Sequence, residues 1–103
     1  MTTPRIDAFS AMIARNPDNV LARFGLATEL VKAERWADAI PELEFYLARY
    51  DDEGNGWLKL SDALTHLGRV DEAKAALDKG YVAARRFGHE GLAAEFEERK
   101  EQL

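Results

Sequence analysis

Apolar residues along this 103-residue chain recur at spacings of three and four rather than two, the mark of helical faces rather than strands. The pattern is clearest from Trp57 to Gly80. There Trp57, Leu60 and Leu64 share one helical face, Ala73, Leu77 and Gly80 share the face of a second helix, and Gly68 sits where the chain must reverse between them. Small residues stand wherever two backbones would have to touch, so the stretch predicts a helix–turn–helix hairpin.

The remainder repeats the theme. Thr2, Thr3 and Pro4 form a helix start, because threonine can cap and proline is tolerated in the first turn. Ile6, Phe9, Met12 and Ile13 then lie on one face of a helix expected to end near Asn16, where the following Pro17 pushes the backbone out of the helical region. The next helix carries Leu26 and Leu30, with Ala27 leaving room for a neighbour. After a short turn at Ala33, Glu34 and Arg35, a third helix presents Trp36, Ala39, Leu43 and Tyr46. Pro41 lies early in it and is expected to bend it locally. Residues 51–56, Asp-Asp-Glu-Gly-Asn-Gly, predict a loop. Beyond Phe87, Gly88 and His89, a last helix carries Leu92, Phe96 and Leu103 among many charges, with Glu97 and Glu101 expected to pair with Arg99 and Lys100.

Equivalent residues recur at a fixed offset. Leu26 and Leu60, Leu30 and Leu64, Arg35 and Arg69, Trp36 and Val70, Ala39 and Ala73, and Leu43 and Leu77 are each 34 apart. A two-helix unit of that period resembles the tetratricopeptide repeat (TPR). The likeness is most specific in Trp57, Leu60, Ser61, Leu64, Gly68, Ala73, Leu77 and Gly80. The preceding unit departs from the family pattern, with Arg23 for an aromatic, Glu34 for glycine, Tyr46 for alanine and Asp51 for proline. The stretch from Lys79 to Ala83 and from Phe87 to His89, followed by a charged helix, is similar to the ends of small stand-alone prokaryotic TPR proteins. The resemblance implies an all-α, TPR-like solenoid of about six helices, since such units bury their apolar faces only by stacking. The expected division is a single domain with an N-terminal helix over 4–16 as a leading half repeat, repeat one over 19–52, repeat two over 53–87, and a capping helix over 89–103.

Composition narrows the function. The net charge is −5 and the only local basic cluster is Arg85 with Arg86, which argues against the basic stripe that nucleic-acid binding needs. The absence of cysteine removes disulfides, thiolate metal sites and cysteine nucleophiles. No apolar run is long enough to span a membrane, and the first residues lack a signal-peptide core, so a cytoplasmic location is expected.

In the family, the first helix of each hairpin lines a concave groove that holds an extended peptide or a helix. Carried over residue by residue, that groove is lined by Leu21, Phe24, Thr28, Val31 and Lys32 from repeat one. Repeat two contributes Asn55, Leu58, Asp62, Thr65 and His66. The closing or leading helix covering that strip from within is the alternative to an open groove. The family's lysine–asparagine–arginine clamp for chaperone tails is not reproduced, because its positions hold Phe24, Thr28 and Lys59. Residues 51–62 only faintly match a calcium loop: Glu53 replaces a ligand, Lys59 falls inside it, and Asp62 is shorter than the usual bidentate glutamate. His66 and His89 have no ligand-spaced partners. No catalytic, metal or cofactor site is expected, and no enzyme activity. The expected function is a protein-interaction scaffold for a partner protein or peptide, with self-association through the apolar strip as the rival reading.

Overall fold

The computed structural model describes residues 3–103, and all regular structure among them is helical. Six helices follow one another: α1 (Pro4–Arg15), α2 (Val20–Lys32), α3 (Trp36–Arg49), α4 (Asn55–His66), α5 (Val70–Arg86) and α6 (Glu90–Glu101). They fall into two compact units, the first ending at Tyr50 and the second beginning at Asp51. Thr2, expected to help start α1, lies outside the described residues.

In the first unit, Thr3 caps α1 by accepting the Ile6 N–H at 3.2 Å, with Pro4 in the first turn. The helix stops at Asn16, which is extended ahead of Pro17. Asn19 restarts the chain by accepting the Ala22 N–H at 3.0 Å. The α2–α3 hairpin buries Leu26, Ala27 and Leu30 from one helix and Ala39, Leu43 and Tyr46 from the other. Each fully buried leucine contributes about 1.5–3 kcal/mol through removal of apolar surface from water. Pro41 does not interrupt α3, which runs unbroken from Trp36 to Arg49. Tyr46, at a position where the family usually has alanine, is 4% exposed, with its ring centroid 4.3 Å from that of Phe24 and 5.2 Å from that of Tyr50. The bulky residue is accommodated by an aromatic stack. Arg23, standing in for another aromatic, lays its guanidinium 4.4 Å from the Phe45 ring centre and forms an ion pair with Glu42 at 3.1 Å.

The second unit is the α4–α5 hairpin closed by α6. Leu77, Ala84, Ala93 and Phe96 form its buried centre, with Trp57, Leu58, Tyr81, Leu92 and Leu103 partly buried around it. Trp36 and Trp57, each on the apolar face of its helix, are only half-buried. Gly80 makes room for the ring of Phe96: a Cβ there would stand 2.4 Å from it. Gly25 makes the same room for Phe9 in the first unit.

Two expectations are corrected at element ends. The loop predicted over 51–56 is shorter, because α4 begins at Asn55 and takes Gly56 into its first turn. The cause is Asp52, whose Oδ1 accepts both the Gly54 and the Gly56 N–H at 2.8 Å. This side-chain cap overrides the loop signal of Gly56, while Gly54 stays just outside the helix. Leu103, expected on the last helix, lies just past its end at Glu101.

The turn after α2 recurs after α4 and α5. Glu34, Gly68 and Gly88 take φ of +57°, +74° and +77°. In each case the next N–H reaches back to the carbonyl five residues earlier: Arg35 to Leu30 at 2.8 Å, Arg69 to Leu64 at 2.9 Å and His89 to Ala84 at 2.8 Å. This is the Schellman arrangement, whose left-handed residue is best filled by glycine. Gly68→Val is therefore expected to cost about 1–2 kcal/mol. Glu34→Gly is expected to stabilise the fold by a few tenths to about 1 kcal/mol. Thermal unfolding of the two variants should show shifts of opposite sign, and a downward shift for Glu34→Gly refutes the strain at that turn. Just beyond two of these turns, Arg35 pairs with Asp38 at 2.8 Å and Arg69 with Glu72 at 2.7 Å. The hydrogen bond from Arg69 holds the Glu72 carboxyl below its usual range.

Candidate partner-binding faces

Along α2, the residues assigned to the groove share one face, and their states differ. Leu21 is 68% exposed, Lys32 is exposed, and Phe24, Thr28 and Val31 are half-buried. Thr28 donates its hydroxyl to the Phe24 carbonyl at 2.9 Å, so its polar group is turned back onto its own helix. Lys32 pairs with Glu29 at 3.2 Å, and Glu29 also receives Arg5 from α1 at 3.3 Å. The α2 face is thus apolar, with a positive edge at its end. The aromatic stack from Phe24 through Tyr46 to Tyr50, which is 50% exposed, extends it onto α3. The sequence placed Tyr46 on the apolar face of α3 and as a departure from the family pattern; that departure was the available signal for the stack.

Along α4 the assigned residues again share one face, but two of the five are engaged by the unit itself. Leu58 packs against the cluster containing Phe96. Asp62 receives a guanidinium N–H of Arg99 from α6. Thr65 is exposed and donates to the Ser61 carbonyl at 2.7 Å; His66 is exposed, with Nδ1 2.8 Å from the Asp62 carbonyl oxygen. Asn55 is exposed and accepts from Lys59 at 3.4 Å. The charges of α6 do not pair as expected. Arg99 bonds Glu95, at 3.1 Å, as well as Asp62, and Lys100 crosses to Asp78 on α5 at 2.8 Å. The pairing with Glu97 and Glu101 is displaced because carboxylates on α4 and α5 lie within reach of the same cations.

The acidic loop is taken up by its own unit. Asp52 caps α4, Asp51 pairs with Arg86, and Glu53 lies 2.7 Å from Nε2 of His89. Among the described residues no group of three His, Asp or Glu side chains is placed to hold a metal ion. None of the described helices is long and apolar enough to cross a membrane. Two concavities flank α6. One, of about 480 Å³, lies between α5 and α6 over Leu77, Tyr81 and Phe96. The other, of about 220 Å³, lies between α4 and the end of α6 and is lined by Ser61, Asp62, Thr65, Arg99, Gln102 and Leu103, with Leu77 behind them.

Residues 24–89 match the family model described as "Tetratricopeptide repeat". No curated protein matches the chain. Among solved structures, protein BPP2914 from Bordetella parapertussis is similar, with 25% identity, a TM-score of 0.80, and coverage of 99% of this chain and 88% of that one. MamA MSR-1 is 24% identical with a TM-score of 0.68 over 91% of this chain, and MamA AMB-1 is 21% identical with a TM-score of 0.67 over 95%. The chain spans 66% of the length of each MamA chain. The architecture is therefore the all-α, TPR-like helical solenoid that the 34-residue period implied.

Proposed function

Since the chain belongs to the tetratricopeptide repeat family, whose members serve as protein-interaction scaffolds, we propose that it holds an extended peptide or a helix of a partner protein. The faces used are those of α2 and α4, the first helix of each hairpin, and no catalysis is involved. The observation that carries this reading is the α2 face, where Leu21 is 68% exposed beside half-buried Phe24 and Val31. Contiguous exposed apolar surface marks interaction sites, and a few anchors, aromatic ones above all, supply most of the energy of such contacts; Phe24 is the aromatic of this strip. Lys32 supplies a polar group that fixes the register of a segment bound on the α2 face, and Asn55, Thr65 and His66 supply such groups on the α4 face. The chain's net charge of −5 favours a partner with some positive charge. A cytoplasmic site of action fits this reading.

The test compares capture by the wild type with capture by a Leu21→Glu/Lys32→Glu variant, read by quantitative mass spectrometry. Both positions are exposed, so the helical circular dichroism should be unchanged. A partner enriched on the wild type should fall at least tenfold on the variant, equivalent to about 1.4 kcal/mol. Equal enrichment refutes the face. Sedimentation at high micromolar concentration addresses self-association through the same strip: a monomer removes that reading, and a dimer disrupted by the variant replaces the partner with a second copy.

A further inference from the structure

We propose that the last turn of α6 is a built-in occupant of the α4 face. The partner that docks there would present a guanidinium and, four residues further on, an aliphatic side chain, displacing Arg99 and Leu103. This rests on reading α4 as a partner-binding face and adds its regulation and the chemistry of its ligand.

Arg99 reaches across 37 residues of sequence to place an N–H on the Asp62 carboxylate. Leu103 and Gln102 line the same recess as Asp62 and Thr65 of that face. Two side chains of α6, spaced four apart, therefore stand where a bound segment's side chains would stand. A recess of about 220 Å³, open to solvent, lies between this turn and α4. A partner with the same two groups and a larger neighbouring side chain would fill it.

The turn is held less firmly than the helix before it, its apolar contact being Leu103, partly buried against the cluster around Phe96. The anchor of α6 is Phe96, 1% exposed and upstream of Arg99. Beyond it, Arg99 and Asp62 are 37% and 35% exposed, and pairs so open to water contribute little. The closing N–H groups of Gln102 and Leu103 make bonds of 3.2 Å at the end of the helix, where fraying costs least. When Arg99 leaves Asp62 its charge is not stranded, because Glu95 on its own helix still holds it at 3.1 Å. Release thus leaves Phe96 in place and uncovers Asp62. A carboxylate at that position selects a cation, and an arginine fork binds it with better geometry than lysine.

The experiment uses the full chain and, as probe, a fluorescein-labelled synthetic peptide of residues 92–103 in an anisotropy titration. A face closed nine-tenths of the time has its apparent affinity lowered about tenfold. The Arg99→Ala/Leu103→Ala variant is therefore expected to bind the probe about tenfold more tightly than the wild type. Adding Asp62→Ala should abolish the gain. Arg99→Ala alone, at a half-buried position whose ion pairs are open to water, provides the same comparison should Leu103→Ala lower stability. Equal affinity for wild type and opened variant, no binding to either, or binding that survives Asp62→Ala overturns the proposal. A partner that still depends on Leu21 and Lys32 but is indifferent to opening the turn leaves the scaffold reading standing and removes only this one.

Discussion

Phe96→Ala is expected to lower the free energy of unfolding by about 3–5 kcal/mol, the range for removing a fully buried ring from a well-packed site. Set against a total of about 5–15 kcal/mol for a domain of ordinary stability, that is a large share. The reason is geometric. Phe96 is 1% exposed, and its ring lies on the backbone of Gly80, so on that side the space it vacates is walled by main chain with no side chain to fill it. Gly80→Leu alone should also destabilise, by about 1–3 kcal/mol, because its Cβ would begin 2.4 Å from the ring. The two changes together should cost less than the sum, since the leucine would occupy space the ring vacates; contacting residues typically couple by about 0.5–3 kcal/mol. Urea unfolding of the two single variants and the double variant measures all three values. A loss below about 1 kcal/mol for Phe96→Ala, on the same scale, would show that α6 is not seated by that ring.

What the amino-acid pattern could reveal follows from the range of each interaction. Leu26, Leu30, Leu60 and Leu64 are all buried, and Ala39 and Ala73 are both fully buried. A 34-residue recurrence reports positions that meet the same kind of neighbour each time, so these were legible. The turn after α2 was legible in the same way: Glu34 stands 34 before Gly68 and adopts the left-handed conformation despite carrying a side chain. Non-periodic features were not. The link from Arg99 to Asp62 joins a charged helix, whose cations were expected to pair within it, to a residue 37 positions earlier. No local spacing signals such a pair. Likewise Leu58, assigned to a binding face from its register, packs against the cluster that includes Phe96 and Ala93 of α6. Register fixes the direction of a side chain, and only the neighbouring helix decides whether it is covered. The start of α4 was hidden for a third reason. Gly54 and Gly56 gave a strong loop signal, and the opposing signal was a single aspartate two residues before the first of them.

That aspartate carries the second large effect. Asp52→Ala is expected to cost about 2–3 kcal/mol. Its side chain is 6% exposed and accepts both the Gly54 and the Gly56 N–H, and donors left without a partner in a buried site cost about 1–3 kcal/mol each, only part of which water would recover. Asp52→Asn keeps an acceptor oxygen at the same reach and should lose about 1 kcal/mol or less. The effect should propagate, because the turn that Asp52 holds also places Gly54, at φ +132°, against α6: a Cβ there would lie 2.8 Å from Leu92 and 3.2 Å from Phe96. Amide hydrogen exchange should consequently accelerate in Asp52→Ala at the first turn of α4 and again around Leu92 to Phe96, while α1 to α3 keep their protection. Faster exchange confined to residues 54–56 would mean that the cap serves only its own helix, and that α6 is seated without it.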